Sequence, residues 1–159
     1  GVVEANADES FIQGKLDVGE PISIPIISEI KSRIKEDMPV VLDCSPGASC
    51  TVVESIEDCD YCILVTEPTP FGLHDLKIAV KLAQKMDLPF GVVLNKAVKG
   101  DRLIHDFCES EGIDLLMEIP YSRETAKCYS EGILPVENDD SLKEQFRNLY
   151  QKIEGGVSK

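Results

Sequence analysis

YCILVTEPTPFGLHDLKIAVKLAQKMDLPFGVVLN, residues 61–95, decides the fold class. It opens and closes on short apolar runs, YCILVT from Tyr61 and FGVVLN from Phe90, both rich in β-branched residues and bounded by turn formers. Apolar side chains at consecutive positions suit strands covered on both faces, the usual condition of a parallel sheet. Between the runs, from about Leu73 to Met86, Leu76, Ala79, Val80 and Ala83 share one helical face, while Lys77, Lys81 and Lys85 fall elsewhere. Strand, crossover helix and strand follow in order.

Working outward, PVVLD from Pro39 and LLMEIP from Leu115 read as two more buried parallel strands. Pro25 to Ile34 reads as a helix with Ile26, Ile27, Ile30 and Ile34 along one side, and Arg102 to Glu111 as a weaker one. Ser141, with Glu144 three residues on, has the form of a capping box opening a final helix that carries Leu142, Phe146, Leu149, Tyr150 and Ile153. That stripe also fits a membrane-targeting helix, but its polar face mixes Lys143, Glu144, Gln145 and Arg147 rather than being basic, which favours packing on the core. The expected architecture is α/β, a mostly parallel sheet with helices on both faces, in a single domain over residues 1–159.

Composition bounds the partners. The chain is 43% hydrophobic and 28% charged, enough apolar mass for one core. Its net charge of −13 repels nucleic-acid phosphates and anionic lipid, so neither nucleic acid nor membrane is an expected partner. Backbone N–H groups and a bound Mg2+ still admit an anionic nucleotide to a local pocket. With no apolar run of about 20 residues and no leader pattern at the start, the expectation is a soluble, cytoplasmic protein. Six cysteines without an export signal read as reduced thiols, buried for Cys62, Cys108 and Cys128. A metal site using Cys44, Cys50, Cys59 and Cys62 has one C-x2-C pair in its favour, a weak signal.

In open parallel sheets ligands bind beyond the carboxyl ends of the strands. At the first end, VVLDCSPGASC, Asp43 offers a carboxylate for Mg2+, and Gly47 lets its N–H approach a phosphate oxygen. At the second, TEPTPFGLHDL, two prolines stiffen a loop that carries an interface or simply connects strand to helix, with Asp75 placed near the positive helix terminus. At the third, VVLNK, Asn95 has the donor and acceptor that reading a purine edge needs, and the stem of Lys96 suits a ring face. A guanine-reading N-K-x-D motif requires an acid where Val98 stands, so adenine is favoured; an Asn turn with a solvated Lys is the bland alternative. At the fourth, EIPYSRE, backbone around Pro120 borders a base beside Asn95, or else this is an ordinary strand exit with Ser122 capping a short helix.

Together VVLDCSPGASC, ILVTEPTPFGLHDLKIAVKLAQKMDLPFGVVLNK and EIPYSRETAKCYSEGILPVE resemble the MinD/ParA/Mrp group of P-loop ATPases, most of all its branch with an inserted ferredoxin domain. The similarity runs from about Phe11 to Glu137, with FIQGKLDVGEP resembling the segment that follows the ferredoxin insertion. The resemblance implies a Mg-ATP site in which Asp43 supports the metal, Gly47 senses the γ-phosphate, and Asn95 reads the adenine with the Pro120 region beside it. It also implies a face-to-face homodimer with Glu67 to Asp75 at the interface. The further implication is an ATPase coupled to an iron-sulfur, electron-transfer or metallocofactor-assembly partner.

Two family parts do not occur in these residues. There is no G-x-G-G-x-G-K-[ST] phosphate loop and no C-x2-C-x2-C-x3-C-P run for an iron-sulfur cluster. The chain is therefore expected to be the C-terminal portion of such an ATPase, inactive alone, with both parts upstream of Gly1. The alternative is a non-catalytic protein-interaction module on the same scaffold. A response-regulator domain ranks below both, because the third apolar run ends in Asn95 rather than a phosphoacceptor Asp.

Overall fold

The computed structural model describes residues 1–7, 10–20, 23–35 and 38–157; Pro21 of FIQGKLDVGEP lies outside them. Contacts divide the chain into two compact units, Gly1–Asp58 and Cys59–Lys159.

The first unit opens with an antiparallel hairpin that sequence reasoning did not anticipate. β1 (Val2–Ala5) pairs with β2 (Ile12–Lys15), from Val2 opposite Lys15 to Ala5 opposite Ile12. Gly14 leaves room for the Ile26 side chain of α1 (Ile24–Ser32), which a Cβ there would meet. α1 begins with Pro25 in its first turn, where a missing N–H costs nothing. Lys31 near its end donates to the carbonyls of Glu54 and Glu57, at 3.0 and 2.5 Å. Those carbonyls belong to the unsatisfied terminus of α2 (Cys50–Ile56), so one cation caps the neighbouring helix.

PVVLD corrects a sequence expectation, since residues 39–43 form no strand. Val40 and Val41 are 44% and 91% exposed. An apolar run becomes a strand only where a neighbouring backbone takes its hydrogen bonds, and the strands of this unit pair with each other.

The second unit is a parallel sheet in the order β3 (Cys62–Thr66), β4 (Phe90–Ala97), β5 (Leu115–Pro120). α3 (Pro70–Lys85) and α4 (Leu103–Glu111) are the crossovers; α5 (Arg123–Ser130), α6 (Pro135–Asn138) and α7 (Asp140–Val157) follow β5. β4 is central, so Gly91 to Leu94 are all buried and its side chains divide between two cores. Val92 and Leu94 join Leu76, Val80, Ile104 and Cys108 of α3 and α4. Val93 joins Leu116, Met117 and the α7 residues Leu142 and Leu149. Helices therefore cover both faces, as expected, and Leu142, Leu149 and Ile153 of the α7 stripe pack on the sheet, whereas Phe146 and Tyr150 of that stripe stay exposed. Among the described residues no helix is long and apolar enough to cross a membrane.

Three local readings are corrected. Asp75 is the sixth residue of α3 rather than part of its first turn, because the helix starts at Pro70 with Thr69 as cap. α7 starts before Ser141, and its cap is Asp139, whose Oδ1 accepts from the Leu142 N–H at 2.9 Å. Cys62 is half-buried on an outer strand of the sheet, whereas Cys108 and Cys128 are buried. None of the six cysteines forms a disulfide.

Candidate functional site

Three strand exits meet at the carboxyl edge of the parallel sheet. At the β3 exit, Thr66 is buried and its hydroxyl donates to the Gly72 carbonyl at 3.0 Å, while Thr69 Oγ1 accepts from the Gly72 N–H at 2.9 Å. A Cβ on Gly72 would collide with the Glu67 carbonyl and sit 3.0 Å from Thr66 Oγ1, so only glycine closes this loop. With Pro68 and Pro70 removing two donors, TEPTPFG becomes a tied turn that fixes Glu67 beside the next strand.

The β4 exit departs from regular pairing. Leu94 opposes Glu118 and Ala97 opposes Pro120, leaving an extra residue in the stretch occupied by Asn95 and Lys96. Lys96 takes up the irregularity with φ of 53°, a left-handed conformation unusual for a residue with a side chain. Asn95 Oδ1 accepts from the Lys96 N–H at 2.9 Å, and Lys96 Nζ pairs with Glu67 Oε1 at 2.6 Å. At the β5 exit Pro120 is exposed, the Tyr121 N–H donates to the Ala97 carbonyl at 3.1 Å, and Ser122 caps α5 through the Thr125 N–H at 3.2 Å.

Asn95, Lys96 and Pro120 thus share one edge, joined by Glu67. Sequence reasoning placed Glu67 only in an interface stretch, and its place beside Asn95 comes from the strand register. Thr66 pairs with Leu94, which sets Glu67 and Asn95 at the same level of adjacent strands. A second pair was missed altogether: His105 Nε2 lies 2.9 Å from Glu118 Oε1, while its buried Nδ1 has no partner. It joins α4 to β5 with the Glu118 carboxylate exposed.

Asp43 and Gly47 belong to the first unit. Asp43 is exposed, and Gly47 turns the chain with φ of 98° and open space where a Cβ would stand. The neighbouring Cys44 thiol is pushed up by burial, partly offset by a hydrogen bond from Ser55. Among the described residues no three His, Cys, Asp or Glu side chains gather as a metal centre. A single carboxylate suits Mg2+, which keeps waters and takes its other ligands from substrate phosphates.

Uncharacterized protein MJ0579 of Methanocaldococcus jannaschii is 30% identical over 135 residues, covering 82% of this chain and 46% of that protein. Uncharacterized ATP-binding protein MJ0823 of the same organism is 28% identical over 123 residues, covering 76% of this chain and 48% of its own length. The cell division ATPase MinD of Pyrococcus furiosus superposes with a TM-score of 0.65 and 25% identity, over 86% of this chain and 59% of MinD. The chain spans about half the length of the curated relatives it matches. No protein-family profile matches it. Its α/β fold is that of MinD-like P-loop ATPases, with which it shares both sequence and structural similarity.

Proposed function

We propose that this chain is the adenine-reading, nucleotide-sensing portion of a cytoplasmic MinD-like ATPase. Asn95 reads the adenine edge, Lys96 lies along the ring, and backbone around Pro120 borders it. Asp43 holds Mg2+ with its waters, and Gly47 follows the γ-phosphate. Bound Mg2+ would supply charge neutralisation for the phosphates. The β- and γ-phosphate contacts come from a P-loop, which these residues do not contain, so the chain alone is inactive.

The likeness to the Pyrococcus MinD ATPase carries the reading; Asn95 near the carboxyl end of β4 supports it. The resemblance to ferredoxin-containing relatives extends it to hydrolysis coupled to an iron-sulfur, electron-transfer or cofactor-assembly partner. It also extends it to a homodimer meeting through Glu67 to Asp75, where Phe71 stands 83% exposed.

Calorimetry on two forms tests the reading. A form that includes a P-loop is expected to bind Mg-ATP, with Asn95→Ala weakening it about tenfold, the worth of a lost base contact. The 159-residue chain is expected to bind weakly or not at all. Equal, tight binding by the short chain would refute the division of labour.

A further inference from the structure

α7 buries one stripe and leaves a second outside. Leu142, Leu149 and Ile153 pack against Val93, Leu116 and Met117. Lys143, Phe146, Arg147 and Tyr150 follow at the spacing of a second stripe along the same helix. With Val136 of α6 and Gln151 they line an open groove of about 580 Å³. Phe146 and Tyr150 remain 41% and 49% exposed, more aromatic surface than the sheet requires.

The charge of the groove is opposite to that of the molecule. Among the described residues its lining includes two cations and no carboxylate, in a chain of net charge −13. Lys143 and Arg147 stand one turn apart, and like charges at that spacing repel. Glu144, outside the groove, reaches Arg147 at 3.4 Å and offsets part of this. An anion laid between the two cations would relieve the remainder.

We propose that this groove docks an acidic amphipathic helix of another protein, its apolar side chains against Val136, Phe146 and Tyr150 and its carboxylates on Lys143 and Arg147. The walls come from two helices and offer no free strand edge, so the occupant must satisfy its own backbone hydrogen bonds, as a helix does. A bilayer fits less well, since the polar positions of α7 mix Lys143 and Arg147 with Glu144 rather than being uniformly basic. A second copy would bring the same large negative charge.

The test is an NMR titration of the 159-residue chain with two synthetic helical peptides sharing a leucine face, one flanked by glutamate and one by lysine. The glutamate peptide is expected to shift amides of α6 and α7 alone. The double variant Lys143→Glu, Arg147→Glu, checked by circular dichroism, is expected to weaken that binding about tenfold or more and to gain affinity for the lysine peptide. No binding, shifts elsewhere, or indifference to the charge reversal would overturn the proposal. So would binding to phosphatidylglycerol vesicles, or a concentration-dependent dimer, that the same reversal abolishes.

Discussion

Lys96 combines an unfavourable backbone with two favourable contacts. The left-handed conformation at φ of 53° costs about 1–2 kcal/mol for a residue with a Cβ. Against it stand the Asn95 hydrogen bond and an exposed ion pair to Glu67, the latter worth about 0–1 kcal/mol. Strain of this kind persists where the surroundings over-determine it, often at functional sites. Lys96→Gly is therefore expected to match or exceed the parent in urea denaturation despite losing the ion pair, whereas Lys96→Val is expected to lose about 1–3 kcal/mol. A glycine variant less stable than the valine variant would show that the backbone at this position is not strained. Asn95 and Lys96 were legible as the end of an apolar run, although β4 itself continues to Ala97. The irregular pairing was not legible, because it depends on how β5 registers against β4, and a period-2 pattern does not encode a neighbour's register.

The elements divide by whether their signal is local. β3, α3 and β4 were readable because apolar runs and a helical stripe agree with turn chemistry at Thr69 and with a tertiary partner on each side. PVVLD carries the same apolar signal and forms no strand, since ladder partners belong to the whole fold rather than to the run. The hairpin of β1 and β2 was missed for the opposite reason. Its strands are short and mostly exposed, so they carry little hydrophobic pattern. Capping at α7 offers a direct comparison between two neighbouring polar residues. Asp139→Ala is expected to cost about 1 kcal/mol by freeing the Leu142 N–H, and Ser141→Ala close to nothing; thermal unfolding of both variants checks this. The reverse order would restore Ser141 as the cap.

Across the whole molecule, burial sets the response to alkali. The Cys108 thiol is pushed up by burial alone, Cys44 chiefly by burial, and the Tyr61 hydroxyl chiefly by burial with help from Asp114. Each keeps its proton to higher pH when folded than when unfolded. The resulting stability is complete below the ordinary value of each group, about 8.5 for the thiols and about 10 for the tyrosine, and is lost as pH rises from there through the raised folded value. Urea midpoints are expected to fall between neutral and alkaline buffer, and a midpoint that rises there would contradict this reading of the thiols. The two units each contribute one of these cysteines, so the alkaline loss is expected in both.

At the same scale, under the proposed function the molecule is the base-reading and γ-phosphate-sensing side of a larger nucleotide site, with the P-loop contacts made by other residues. The most direct measurement is an NMR titration of a form that includes a P-loop with millimolar AMP and GMP, following the side-chain amide of Asn95 and the backbone of Lys96. AMP is expected to shift both signals and GMP to leave them in place. Silence of Asn95 toward AMP, or an equal response to the two bases, would contradict it.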